Sequence, residues 1–212
     1  MNCCQCQGIE ELFNEKTVSK ELAEYQAKGP SKTTRMMIKA LKAEGLQGFS
    51  LLDIGGGVGG VQHELLAAGV QTATDVDASQ AYLRAARKEA QRRGVLDRIQ
   101  FLHGNFVEMA GQVPNADIVA LDRVICCYPD MEKMVDLSAA RANHLYGLVY
   151  PRDVWWVRMG IAILNFFFRL QRSPFRTFAH SSQRVEGLVS RYGFRRKFYR
   201  QTLVWQVVVY AR

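Results

Sequence analysis

Asp53, Gly55, Gly56, Gly57, Gly59 and Gly60 fall within one stretch, Leu-Leu-Asp-Ile-Gly-Gly-Gly-Val-Gly-Gly at positions 51–60. Such a stretch can cradle a nucleotide-like ligand. Glycine adopts positive φ, and it lets a ligand approach the backbone where a Cβ would collide. The apolar run before the glycines, residues 49–54, reads as a strand, and residues 61–68 read as a helix. The first N–H groups of that helix and the positive end of its dipole face the turn. A carboxylate at Asp53, just ahead of the turn, repels a pyrophosphate and attracts a cation.

Two cofactor patterns overlap here. Gly55, Gly57 and Gly60 satisfy G-x-G-x-x-G, with Asp77 about 20 residues on, the fingerprint of a dinucleotide site and hence of a NAD-dependent oxidoreductase. Asp53, Gly55, Gly57 and Gly59 also satisfy D-x-G-x-G-x-G. On these residues the chain resembles the class I S-adenosylmethionine (SAM) methyltransferases. Asp53 favours this second pattern, because the ammonium of a methionyl group welcomes a carboxylate that a pyrophosphate would not.

The resemblance covers roughly residues 25–212, with its specific motifs between Leu51 and Tyr128. It implies SAM as cofactor, held at Asp53, Gly55, Gly56, Gly57 and Gly59. Asp77 and Ala78 stand at the end of a second expected strand, where Asp77 would accept from the ribose hydroxyls. Asp75, two residues earlier on the same side of that strand, is the competing carboxylate. Asn105 and Phe106 stand where the family has an acidic residue and phenylalanine, and the amide oxygen of Asn105 would accept from the adenine amino group. Asp122 and Arg123, ending the fourth strand, would face the transferred methyl.

Methyl transfer from a sulfonium depends mainly on aligning nucleophile and methyl. A carboxylate acceptor needs no base, whereas a phenol or amine needs proton removal. Candidate catalytic residues are Arg123, which could clamp an acidic substrate, Tyr128, which could shape the pocket, and His103 as a base. His144 and His180 are further candidate bases, with His144 alternatively a structural residue starting the fifth strand and His180 a helix cap, and Arg152 and Arg176 are further candidate clamps.

The elements that must position these groups alternate strand and helix from residue 49 onward. Strands are expected near 49–54, 70–76, 98–103, 116–122 and 144–150, and helices near 59–68, 79–93, 130–142, 153–171 and 182–192. A final strand pair, 194–199 and 203–210, completes an α/β Rossmann-like, mostly parallel seven-stranded sheet with helices on both faces and an antiparallel C-terminal strand. Residues 1–48 read as an N-terminal helical lid, broken at Gly29-Pro30-Ser31, over a methyltransferase-like domain at 49–212. Tyr25 and residues 32–35 are its candidate contacts with a cofactor.

The 212 residues carry a net charge of +8. Residues 151–212 hold 12 Lys and Arg against Asp153 and Glu186 alone, giving +10, while residues 1–150 hold 16 basic and 18 acidic side chains, giving −2. A basic surface suits an acidic substrate, an anionic membrane or RNA. An RNA methyltransferase is therefore one alternative, and a SAM-binding module without catalysis is another. Residues 154–170 are too apolar for one amphipathic stripe and must be buried, contact a hydrophobic ligand or rest on a membrane peripherally; they are expected to wall a pocket for a large apolar acceptor, with full burial between lid and sheet as the rival. The C-terminal third, through Cys127-Tyr128-Pro129, the aromatic segment from Trp155, and Ser173-Pro174-Phe175-Arg176 with His180, resembles the magnesium-protoporphyrin O-methyltransferases. Cys127 stands where those enzymes have histidine. Together these features predict a methyltransferase acting through oxygen on a small or medium, hydrophobic or acidic molecule. Five cysteines and no leader pattern fit a reducing cytoplasmic setting, with Cys3, Cys4 and Cys6 as incidental thiols and no transmembrane segment.

Overall fold

The computed structural model describes residues 4–212. Helices α1 (Cys4–Leu12), α2 (Glu15–Lys28) and α3 (Lys32–Lys42) precede strand β1 (Ser50–Ile54). The expected break at residues 29–31 is present, and Ser31 caps α3. A second break, not anticipated, separates α1 from α2: the Asn14 side chain accepts from the Lys16 and Thr17 N–H groups at 3.1 and 3.2 Å. That cap favours starting a new helix over continuing the old one. The C-x-x-C spacing at Cys3–Cys6 falls outside the described residues and side chains.

From β1 the chain alternates through α4 (Gly60–Leu66), β2 (Thr72–Asp77), α5 (Gln80–Arg92), β3 (Ile99–His103), α6 (Phe106–Met109) and β4 (Ala116–Asp122). It continues through α7 (Met131–Arg141), β5 (Ala142–Pro151), α8 (Trp155–Leu170), α9 (Ser182–Arg191), β6 (Arg195–Gln201) and β7 (Trp205–Ala211). The sheet order is β3-β2-β1-β4-β5-β7-β6. The first five strands pair in parallel, and β7 runs antiparallel to both β5 and β6. This is a Rossmann-like, mostly parallel sheet with an antiparallel C-terminal strand. The order reverses between β1 and β4, so the C-terminal ends of these strands flank the crevice where open α/β sheets bind ligands.

Side chains alternate across each strand and build two cores. Leu52, Val119, Leu121, Tyr146 and Val208 join α7 and α9 on one face. Leu51, Ile118, Leu145, Val207 and Val209 join α3 and α4 on the other. Helix α3 belongs to that second core through Met37, Ile38 and Leu41, and a Cβ placed at Gly147 would come within 3.1 Å of the Met37 sulfur. Leu41→Ala is therefore expected to cost about 2–5 kcal/mol in urea unfolding. A loss below about 1 kcal/mol would mean that α3 is not bound to the sheet as its burial requires.

Strand β6 is the sheet's edge and carries exposed Arg195, Arg196, Lys197 and Arg200. Charges of one sign along an edge discourage pairing with another chain. Among the described residues no helix is long and apolar enough to cross a membrane.

Candidate active site

The turn after β1 is shaped by its glycines. Gly55, Gly57 and Gly59 have φ of 66°, 59° and 83°. A Cβ on Gly56 would lie 2.6 Å from a carboxylate oxygen of Asp75, so the backbone there is pressed against buried acids. At Gly57 the nearest atoms to such a Cβ belong to the Tyr82 ring at 3.8 Å, and the space beyond is open. That space is a cavity of about 590 Å³, lined from β1, β2, β4, the 3₁₀ turn Ile125–Cys127 and all three N-terminal helices. Its size suits a nucleoside-sized ligand together with part of a second molecule.

Four aspartates stand in or behind the cavity wall. Asp53 and Asp75 are paired in register on β1 and β2, and both are fully buried. Neither Asp53 oxygen makes a hydrogen bond of ordinary geometry, and the nearby Gln62 backbone N–H is the one donor that pulls its pKa down. Burial, then Asp122 and Asp77, push its pKa up to about 8. Asp75 accepts from the Gln62 side chain at 2.9 Å and is likewise pushed up, first by burial and then by Asp53. Asp75 does not line the cavity, whereas Asp53, Asp77 and Asp122 do.

Asp77 ends β2 and is tied to the local backbone. One oxygen accepts from the Gly57 N–H at 3.1 Å and the other from the Ser79 N–H at 2.8 Å. Burial raises its pKa to about 6 against the pull of these two donors. Each oxygen keeps a further lone pair for a ligand hydroxyl. Asp122 accepts from the Thr34 hydroxyl of α3, and burial raises its pKa. A cavity walled by acids with unpaired oxygens is a place for a cation.

Arg123 follows at φ 63°, a left-handed conformation that is uncommon outside glycine. Its guanidinium donates to the Ser31 and Thr33 hydroxyls and lies 5.2 Å over the Trp205 ring. Backbone strain here aims a side chain of the β4 end into the cavity, across from the helical prefix.

The cavity brings together most of the residues singled out in the sequence. Gly55, Gly56, Gly57, Ala78, Asn105, Phe106, Tyr128 and Tyr25 all line it alongside Asp53, Asp77, Asp122 and Arg123. Gly59 stands just behind, as the N-cap of α4. The Asn105 side-chain oxygen accepts from the Val107 N–H at 3.1 Å, capping α6, while its amide nitrogen reaches Tyr128 Oη at 3.4 Å.

His103 is not in the lining. Its Nε2 turns toward Glu10 of α1 and the Ala78 carbonyl, at 3.3 and 3.2 Å. His180 Nε2 meets the carbonyls of Ile125 and Tyr128 at 2.8 and 3.1 Å and so braces the 3₁₀ turn. His144, on β5, stacks against Phe49 at the sheet's far end. Arg152 and Arg176 also stay outside the lining.

Helix α8 does not wall the cavity and is not buried. No residue of α8 is in the lining, and Val157 alone among its residues is buried. Helix α1 and the residue after it supply wall that the sequence did not mark: Gln5, Ile9 and Phe13 line the cavity. Gln5 donates to the carbonyls of Cys127 and Arg176, both at 2.7 Å. A lone polar residue on a short terminal helix carries no sequence signal for such long-range contacts.

Residues 52–140 match the sequence model of a methyltransferase domain. No curated protein matches the chain in sequence. Magnesium protoporphyrin IX methyltransferase from Synechocystis PCC 6803, crystallised with bound SAH, is similar at a TM-score of 0.74 and 18% identity, covering 98% of this chain and 99% of that one. An O-methyltransferase family protein from Burkholderia thailandensis is similar at 0.68 and 14%, covering 93% and 58%. The [4+2]-cyclase SpnF is similar at 0.61 and 12%, covering 84% and 81%. At such identities the likeness is one of fold, and chemistry has to be argued from the site.

Proposed function

We propose that this chain is a class I SAM-dependent methyltransferase and that it forms a methyl ester on the carboxylate of a small or medium acceptor with a hydrophobic body. Its cofactor is SAM, and the cavity fits that group. Asp53, buried with no cationic partner, would pair with the methionyl ammonium. Asp77 would take the ribose hydroxyls, and the open side of Gly57 would admit the backbone of the ligand. Ala78, Asn105 and Phe106 would border the adenine, with Tyr25 closing the α2 side. A dinucleotide would bring its pyrophosphate against unpaired Asp53, which disfavours an oxidoreductase.

When bound, SAM would supply a methyl already activated on a sulfonium, with the thioether as its leaving group, so the protein's task is to align an acceptor oxygen with that methyl. One observation carries the choice of a carboxylate acceptor. Among the described residues lining the cavity there is no histidine, while Arg123 stands at the β4 end beside Asp122. A carboxylate needs no proton removed before attack, and a guanidinium can orient it through two parallel N–H groups. Ile9, Phe13 and Val124 offer apolar wall for the rest of the molecule. The similar fold of a magnesium protoporphyrin IX methyltransferase supports a small-molecule acceptor. Helices α1 and α2 would cover the mouth as a lid.

The test is transfer of labelled methyl from SAM into a host-cell extract. Label that is organic-soluble and released as methanol by mild alkali is expected. Base-stable label would point to an ether or amine product, and label in RNA would give the basic surface the substrate role. Once an acceptor is isolated, Arg123→Leu should raise its KM by about 10–100-fold, the loss of a charged hydrogen-bonded pair. The Kd for SAM should stay unchanged.

A further inference from the structure

We infer that α8 and the β6–β7 turn form one surface that seats the protein on an anionic lipid bilayer. Ile161, Asn165 and Phe168 are half-buried and, with buried Val157, form the stripe of α8 that faces the protein. The Asn165 amide fixes this orientation by bonding both the N–H and the carbonyl of Thr177, at 2.9 and 2.8 Å. The opposite side of a surface helix is ordinarily polar. Here it is apolar: Trp155 is 69% exposed, Phe166 63% and Leu170 70%, with Met159 and Ile163 between them. Arg158 and Arg169 run along one flank, three turns apart.

The patch continues beyond the helix. The Arg152 N–H donates to the Val204 carbonyl at 2.8 Å, and its guanidinium lies 5.5 Å over the Trp156 ring. This places the β6–β7 turn, with Leu203 74% exposed, beside the start of α8. An exposed apolar face spanning two elements marks a docking surface.

Charge selects the occupant. Residues 151–212 carry +10, and their two carboxylates are already engaged, Asp153 by Arg158 and Glu186 by Arg196. Arg169, Arg172 and Arg200 are exposed at the patch or its border. Tryptophans at the end of an apolar helix with flanking arginines suit the headgroup boundary of an anionic bilayer, with the helix lying in its plane.

Position gives the seat a use. Pro151 pairs with Trp205, so the turn lies at the C-terminal edge of the sheet, the edge that opens into the cavity. Arg123 of the cavity wall touches Trp205 directly. A bilayer held at this surface would bring the cavity next to the interface, where a hydrophobic acceptor concentrates.

Sedimentation of the full chain with phosphatidylcholine vesicles, with and without phosphatidylglycerol, tests this without SAM or acceptor, so its failure would leave the methyl-ester reading standing. Binding is expected to the phosphatidylglycerol vesicles, falling with salt, with a blue shift of tryptophan emission. The triple variant Phe166→Ser, Leu170→Ser, Leu203→Ser should lose at least about tenfold in vesicle partition, and Arg169→Glu with Arg172→Glu should lose the preference for anionic lipid. Both should keep wild-type SAM affinity, since none of these residues lines the cavity. Wild-type protein that stays in the supernatant overturns the proposal. So does a wild-type dimer that the triple variant converts to monomer without any vesicle binding, because the surface would then belong to a second copy.

Discussion

Wild-type affinity for SAM is expected to rise by up to about tenfold per pH unit between pH 6 and 8 and then level off, whereas Asp53→Asn should bind weakly and without this pH dependence. The cause is a buried carboxylate with no cationic partner. Burial, with Asp122 and Asp77 nearby, pushes Asp53 up to about 8, so without ligand it is mostly protonated at neutral pH. Only the ionised form attracts the methionyl ammonium, and the apparent affinity is reduced by the fraction in that form. Asp75 is its register partner and shares the buried space, so the titration measured belongs to the pair.

The sign for stability runs the other way. A folded-state pKa raised above the unfolded value near 3.8 contributes stability that is present below about pH 4 and is lost as pH rises through about 8. Ligand-free Asp53→Asn should therefore unfold at a higher temperature than wild type above pH 8, even while it binds SAM less well. At pH 8.5 the loss of a charged partner should weaken binding by about 10–100-fold. Calorimetric titration across the pH range checks the affinity arm. Equal pH profiles for the two proteins would show that the cation does not sit at Asp53.

The second large effect is expected at Gly57. Its φ of 59° suits glycine, and a β-branched side chain there is a genuine outlier. Gly57→Val adds strain of about 1–2 kcal/mol. It also sends its methyl groups into the open cavity, where the nearest atoms to the Cβ are those of Tyr82 at 3.8 Å. The protein should still fold, with its melting temperature lowered by about 2–8 °C. SAM binding should fall by more than about 100-fold, because the filled volume is the one the ligand needs. A folded Gly57→Val protein with near wild-type affinity would mean that the ligand does not approach this turn.

The site residues that were legible in the sequence are those whose position follows from a local rule. Asp53 precedes a glycine turn, Asp77 ends a strand, and Ser31 and Ser79 start helices. Each can be placed from its neighbours within about one turn of chain, and the cavity gathers Asp53, Asp77, Asn105 and Asp122 from the ends of different strands because parallel strands end at one edge. The strand-helix alternation was legible for the same reason, since apolar periodicity records which faces must be buried.

Side-chain direction and long-range partners were not legible. His103 ends its strand as expected, yet its ring turns to Glu10, a residue 93 positions away. Asp75 and Asp77 lie on the same side of β2, but they part in role because Gln62 takes one and the turn amides take the other. Composition marked α8 as apolar on most sides and so pointed to a pocket wall or to burial, yet the helix lies outside the lining and exposes most of its apolar side chains. Sequence by itself thus determined the fold class, the glycine turn that borders the cavity and the acids around it, because these depend on local backbone preference and on the period of apolar residues. Tertiary structure alone decided which helices cover the cavity, which histidines are braces, and that α8 faces outward, because those depend on which surfaces meet when distant segments pack.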